Sequence, residues 1–518
     1  MKKMLFLLLI PVCTTLFAQT ARPSDFHRLG LEMALQQFDA TRNAAGMGLF
    51  QPASGSMTQL EAFRQQGDFH LAQTGDADLG FKFSTLRYDS FSDKLFMKGS
   101  FYYSFDREKG RKWSDVLDPW FSIPYIYGCA VAKNYDSHDC GLSFDLYTAP
   151  LSDVVSLGLK TDYQVSDVSG TRDPRPRTGY LNYQVVPSVL LTFGRHHVGL
   201  DLGFGYSKEK LSGLTTIQSY PNLYYYKMSG LDHIDGAIAG YSGFKRQFIG
   251  KRFLGDLSYS LTFDAVRVLV SGGAEYLIQR ANGDKMQSPG SYNCLTYNGI
   301  ADVEFLRETW MHKLHLEGTF RDGGADEYLQ ELTSSKDPVT GATTETWVTL
   351  YEYTNRYMLK TWQAALGYTL YGGCSGTDYR WSAALEGGYA GFRKDCHLPH
   401  SDFGTSGWNV TAGGSIRLLD RNSHKVDLAV KGGGYLHGNT FLTLQSENIY
   451  TEEVLVPDRD YYLRDYVHGS ADLTWQFPLN LGKAGWANGY VRLSGGLRKA
   501  LPEGSLSGVS VAVGLFTF

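Results

Sequence analysis

Beyond its N-terminus the sequence has no apolar run approaching the ~18 residues of a membrane helix, so a helical membrane protein fits it poorly. It also lacks any linker rich in Pro or Ser, with 16 prolines in 518 residues, which argues against the string of soluble domains that such a length suggests. Charged residues are only 20% and the net charge of −4 is small and unclustered. Nucleic acid is therefore not expected as a partner.

Catalytic signatures are missing as well. No Gly-x-Ser-x-Gly occurs, since Gly240, Tyr241, Ser242 and Gly243 fall one residue short. Gly203 and Gly205 begin a glycine pattern that stops at Lys208 inside an alternating stretch, so no nucleotide loop is assigned. Asp136, Ser137, His138 and Asp139 have residue types suited to acid and base work, but adjacency in sequence is not geometry. His196, His197, His312 and His315 sit at or beside short turns. The expectation is a protein without enzymatic activity or cofactor.

Cysteines are few, six in all, one of them in the N-terminal apolar run. Cys129 and Cys140 fall in one outer loop and are spaced to close a small ring, in a compartment that permits disulfides. Cys374 and Cys396 lie at opposite ends of one strand, about 13 residues at about 3.3 Å each, which is beyond disulfide reach. Cys396, His397 and His400 have ligand-capable spacing, yet no fourth ligand is obvious, and no metal site is assigned.

What the chain does have is alternation. Between Tyr180 and Ser207, the apolar residues Leu181, Tyr183, Val185, Val189, Leu191 and Phe193 precede a turn at Gly194 to His197. The return arm sets Val198, Leu200, Leu202, Phe204 and Tyr206 against Gly199, Asp201, Gly203, Gly205 and Ser207. Successive strand side chains point to opposite faces, so each arm has one apolar and one polar or glycine face. The same hairpin, with arms of about ten residues or more, recurs along the chain, as strands that cross a bilayer require. Aromatics at 14%, 34 tyrosines, 58 glycines and a negative mean hydropathy fit a barrel whose polar inner wall offsets its apolar outer one.

Short turns near Asp89, Leu151, Arg195, Asp264, Glu308, Cys374, Arg421 and Gly482 alternate with extended links at 107–140, 208–251, 322–358 and 439–464. That is the up-and-down pattern of outer-membrane barrels, with short periplasmic turns and long outer loops. The predicted fold is an all-β, closed antiparallel up-and-down transmembrane β-barrel of about 18 strands, with 14 to 16 as the alternative. Residues 1–18, with Lys2 and Lys3 before the apolar run from Met4 to Val12, have the form of a cleaved signal peptide. Residues 19–56 do not alternate and either remain in the periplasm or enter the barrel as a hatch. Residues 57–518 form the barrel, placed in the bacterial outer membrane. Its last strand sets Val509, Val511, Val513 and Leu515 against Phe516 and Phe518. An alternating strand that ends on an aromatic residue resembles the C-terminal signal by which the barrel-assembly machinery recognises its substrates, and Phe518 is expected at the periplasmic aromatic girdle.

The signal ending in Ala18-Gln19, the dense Tyr/Gly hairpins, the loop from Thr215 to Asp232 and the ending Gly514 to Phe518 together resemble an uncharacterised Gram-negative outer-membrane β-barrel family known only as a domain of unknown function. The resemblance implies fold and compartment, and carries no catalytic or binding residue.

A charge facing lipid at mid-depth costs roughly 2 to 4 kcal/mol for Arg or Lys. Lys98, Asp145, Lys160, Asp162, Asp201, Arg267, Glu275 and Glu304 should therefore face the lumen, as should Glu317, Arg380, Glu386, Arg417, Asp427, Lys431, Asp472 and Arg492. They either line a polar pore or form a salt-bridged filling. Tyr220, Tyr224, Tyr225 and Tyr226 mark the longest loop as a candidate binding surface, although such rings equally suit loop packing and the membrane interface. Barrels of about 16 to 18 strands are wide enough for an aqueous lumen. The leading functional expectation is a passive pore or transporter for small polar solutes in contact with outer-membrane lipid. The alternatives are an adhesion or scaffolding barrel with a filled lumen and, last, an outer-membrane hydrolase.

Overall fold

The structure is a computed structural model that describes residues 25–517 apart from 51–53, 122, 216–223, 239–243, 284–286, 337, 377, 399 and 483–485. The signal segment, Tyr220 and Phe518 lie outside the described residues.

The alternating stretches form strands. The wall begins with β1 (Gly55–Gly67), β2 (Ala77–Ser92) and β3 (Leu95–Arg111). After a short inner strand, β4 (Ile126–Gly128), come β5 (Lys133–Thr148), β6 (Val155–Gly170), β7 (Arg175–Phe193) and β8 (His196–Thr215). Two further inner strands, β9 (Tyr224–Ser229) and β10 (His233–Ile238), precede β11 (Arg246–Thr262), β12 (Val266–Asn282), β13 (Gly290–Leu306), β14 (Trp310–Lys336) and β15 (Thr343–Gly372). The wall ends with β16 (Trp381–Cys396), β17 (Ser401–Arg421), β18 (His424–Thr443), β19 (Tyr466–Asn480), β20 (Trp486–Ala500) and β21 (Ser505–Thr517).

Wall strands adjacent in sequence pair antiparallel, and β1 pairs with both β2 and β21, with Met57 opposite Phe516. The 18-stranded sheet thus closes on itself, leaving no strand edge unpaired in hydrocarbon among the described residues. Outward positions are apolar and open, such as Leu202 at 59% and Leu257 at 60% exposure, whereas the inward Asp201 and Glu304 are fully buried. A closed barrel with this apolar belt and polar interior is an outer-membrane β-barrel.

One feature differs from the sequence expectation. The stretch 322–358 is not a loop, because β14 and β15 run on as a paired ribbon to Lys336 and Thr343, with register shifts at Ala325/Glu327 and Leu329/Gln330. Thr344, Thr346, Val348, Thr349 and Tyr351 have the β-branched and aromatic character that sustains strands. On β21, Val509, Val511 and Val513 are exposed on the lipid side while Phe516 is buried in the interior.

The other outer links fold inward. β4, β9 and β10 form a separate three-stranded sheet, and α2 (Val456–Tyr462) follows a π-helical turn at Thr451–Leu455. Trp113, Ile123, Met228, Tyr450, Val454 and Leu455 pack against the inward Phe248, Tyr292, Leu359, Phe392 and Phe403 of the wall. That core packs within the outer half of the barrel.

Candidate functional site

At the end that carries the short turns, residues 25–50 run inside the wall. α1 (Phe26–Leu35) begins where Asp25 accepts a hydrogen bond from the Arg28 amide at 3.0 Å, a standard N-cap. The same carboxylate pairs with Arg417 at 3.0 Å and with Lys425, and Arg417 also holds Asp427 at 3.0 Å and Asp378 at 2.9 Å. Burial works to raise the Asp25 carboxyl, but Arg417 and Lys425 outweigh it and hold the group at about 2. His27 donates to the Tyr379 carbonyl at 2.8 Å and stacks on its ring at 4.2 Å. Phe26 meets Tyr490 at 4.6 Å and Phe516 at 4.8 Å, with the Arg492 guanidinium 4.1 Å over its ring.

The contacts continue around the wall. Asp39 pairs with Lys98, and Arg42 bridges Asp256 at 3.1 Å and Glu275 at 3.0 Å. Arg267 lies 5.6 Å over Phe50, and the Ala45 amide donates to Ser188 Oγ at 3.0 Å. Close approach here depends on Gly158, where a Cβ would stand 2.2 Å from the Ala45 nitrogen. The segment thereby touches β3, β7, β11, β12, β17, β18, β20 and β21, on all sides of the lumen.

The outer closure is held differently. Trp113 Nε1 donates to Glu453 at 2.8 Å, and Arg246 pairs with Glu209 at 2.8 Å and Asp115 at 3.4 Å. Burial pushes the Asp115 carboxyl up to about 6, opposed by Arg246. Asp232 accepts from Ser401 Oγ, Gln445 N and Ser446 N at 3.0, 2.8 and 3.0 Å. Asp458 accepts from the Ala72 amide at 2.8 Å, and its burial carries its carboxyl up to about 6. Of the loop tyrosines, Tyr225 is fully buried, Tyr226 packs on Trp113 at 5.3 Å, and Tyr224 stays exposed and stacks on Tyr226 at 6.0 Å.

Cys129 and Cys140 form no disulfide; both are free. Cys129 is buried inside the barrel with Lys133 Nζ at 3.3 Å. Cys140 has the parity of the outward Leu142, so the wall itself separates the two thiols. The run Asp136 to Asp139 is likewise divided. Asp136 pairs outward with Arg107 at 2.6 Å and His138 with the outward Tyr103 at 2.8 Å, whereas Asp139 accepts inward from Tyr102 at 2.8 Å. His196 and His312 meet the outward Tyr259 and Tyr368, each at 2.7 Å.

Between the two closures the lumen is hollow. One cavity of about 720 Å³ is lined on its inward faces by Glu61, His468, Ser470, Asp472, Ser494 and Arg498. A second, of about 340 Å³, lies under α2 and shares Tyr466 with the first. Alternation places Lys98, Asp145, Lys160, Asp162, Asp201, Arg267, Glu275 and Glu304 on the interior, together with Glu317, Glu386, Arg417, Asp427, Lys431, Asp472 and Arg492. Arg380 is instead in the turn before β16, exposed. Lys98, Lys160, Arg267, Glu275, Arg417 and Arg492 contact the N-terminal segment, Asp427 pairs with Arg417, and only Asp472 of this set lines the large cavity. Sequence reasoning missed Glu61, Arg321, His468 and Arg498 on the wall, and Tyr461 and Tyr462 in the 439–464 link. The wall residues were legible from strand parity, but the tyrosines point inward only because their link folds back.

The sequence pattern described as Family of unknown function (DUF6850) matches residues 44–517. No curated protein matches the chain. Among solved structures, the siderophore receptor PirA from Pseudomonas aeruginosa aligns at 10% identity over 90% of this chain and 81% of its own, with a TM-score of 0.34. The ferric preacinetobactin receptor BauA from Acinetobacter baumannii aligns at 9% identity over 89% and 80%, with a TM-score of 0.39. The outer membrane transporter YddB from Escherichia coli gives 7% identity over 89% and 80%, with a TM-score of 0.36. Likenesses this loose say nothing about a ligand.

Proposed function

The chain belongs to the DUF6850 family of unknown function, and from that premise, which assigns no activity, we propose that this outer-membrane barrel is a gated transporter of small polar solutes. The observation that carries the reading is the pair of adjoining cavities held between two independently fastened closures. A barrel filled only for stability would be expected to close its interior by packing, because empty space forfeits contacts. The inner closure rests on ion pairs that can exchange partners, for Arg417 already serves four carboxylates. Its withdrawal would join the large cavity to the periplasm.

The test is solute flux through protein reconstituted in liposomes, comparing the intact chain with a variant lacking residues 25–50 together with the outer-closure links 113–128, 224–238 and 445–463. An 18-stranded wall freed of both closures is wide enough to conduct, so efflux of small sugars and amino acids should rise about tenfold or more. A deletion variant that remains folded, by its heat-shifted electrophoretic mobility, and is no leakier than the intact protein would remove the transport reading. A surface-binding role is the second reading, supported by the β14–β15 ribbon, which exposes Leu329, Val348, Leu350 and Tyr351.

A further inference from the structure

We infer that the smaller cavity is a binding site for a small organic carboxylate that presents a flat apolar face. The inference rests on the reading of the lumen as a solute path and names the class of solute. With a volume of about 340 Å³, the cavity falls within the range of small-molecule sites.

Its two walls differ in chemistry. One is aromatic, built from Phe121, Phe392, Tyr435, Tyr461, Tyr462 and Tyr466. These rings brace one another, Phe392 meeting Tyr462 edge-on at 5.3 Å and Tyr435 stacking on Tyr466 at 5.0 Å. Arg498 lies 4.9 Å over Tyr466 and donates to the Tyr461 hydroxyl at 3.5 Å, so that cation is committed to the wall. The facing wall comes from β14 and β15, where Arg321 stands opposite Thr361 and Thr319 opposite Gln363.

Arg321 is the informative residue. It is exposed to the lumen, and no carboxylate pairs with it among the described residues. Most lumenal arginines of this barrel are engaged, Arg42, Arg252 and Arg417 with carboxylates, Arg267 with the Phe50 ring and Arg492 with the Phe26 ring. An open guanidinium fork suits a carboxylate, the threonine hydroxyls and the Gln363 amide suit hydroxyl groups, and rings stack on an apolar face. A uronic acid and a hydroxylated benzoate both have that chemistry.

Equilibrium dialysis of the purified full chain in detergent would test the site with three radiolabelled probes: glucuronate, 4-hydroxybenzoate and methyl glucoside. Binding of either acid above methyl glucoside is the expected result, and the better acid identifies the face as pyranose or arene. Loss of a charge-assisted contact should weaken Arg321→Gln by about tenfold or more, with Arg321→Lys falling between. Tyr462→Leu should weaken both acids. No binding of either acid at millimolar concentration, equal binding of methyl glucoside, or an unchanged Arg321→Gln in a folded barrel would overturn the proposal. Binding by a protein that passes no solute in liposomes would support this site while removing the transport reading.

Discussion

At Asp25 a helix cap and an ion pair share one carboxylate, and substitution can separate them. Asp25→Asn keeps an acceptor for the Arg28 amide but removes the charge facing Arg417 and Lys425. Uncoupling a buried pair costs about 3 to 5 kcal/mol, less here because Arg417 retains Asp427 and Asp378. Amide exchange across residues 26–35 should therefore rise about tenfold or more while the barrel's own unfolding is unchanged. Asp25→Ala should lose about 1 kcal/mol further with the cap. Exchange that stays equal in the Asn variant would sink the latch. With its carboxyl lowered to about 2, Asp25 contributes fully above the unfolded value near 4 and loses that contribution as pH falls through about 2. Asp458 has the opposite sign. Its carboxyl, raised to about 6 by burial against the pull of the Ala72 amide, Lys394 and His70, binds more protons folded than unfolded between about pH 4 and 6. The docking of α2 should therefore weaken as pH rises through that window and level off above it. Amide protection in residues 451–463 should be greater at pH 5 than at pH 8, and Asp458→Asn should flatten the difference. A profile that rises with pH would contradict this.

Among the elements, the wall strands were legible because each carries its own evidence in period-two alternation, which lipid outside and polar groups inside enforce at every position. The ribbon of β14 and β15 was not, since beyond Ala325 no lipid demands an apolar face and Thr, Glu and Tyr replace the alternating pattern. The register shifts at Ala325/Glu327 and Leu329/Gln330 mark where the ribbon departs from the wall, as bulges do at barrel rims. The ribbon should accordingly be dispensable for folding. Replacing residues 328–352 with an Asn-Gly turn should leave the heat-shifted mobility of the barrel intact while abolishing any partner captured at the cell surface. A variant that cannot fold would show the ribbon to be part of the wall, and unchanged partner capture would remove the surface-binding reading. The inward sheet of β4, β9 and β10 was hidden for another reason. Its strands are three to six residues long, and it joins two loops about 100 residues apart, a pairing that no local pattern encodes.

On the scale of the whole molecule, parity told which charges face the interior but not what fills it, because a wall residue looks the same whether it faces water or a folded segment. Phe516 shows the limit. It lies within the C-terminal pattern that resembles an assembly signal, yet its ring seats Phe26 of the N-terminal helix, a contact across nearly the full length of the chain. Membrane placement, by contrast, follows from the exterior alone and can be tested there. Leu257 on β11 is 60% exposed between Leu200 and Gly272. It stands about five residues from the short-turn end, about 12 Å of depth for a strand tilted near 45°, or the middle of an apolar belt about 25 Å tall. Leu350, 57% exposed on the ribbon, should lie beyond that belt. Leu257→Arg should therefore lower folding stability in bilayers by about 2 to 4 kcal/mol, and Leu350→Arg by no more than about 0.5 kcal/mol, as measured by urea titration of refolding into liposomes. Equal exposure with unequal cost has one physical source, a solvent that changes from hydrocarbon to water between the two sites. Equal costs would mean that the apolar exterior does not face lipid.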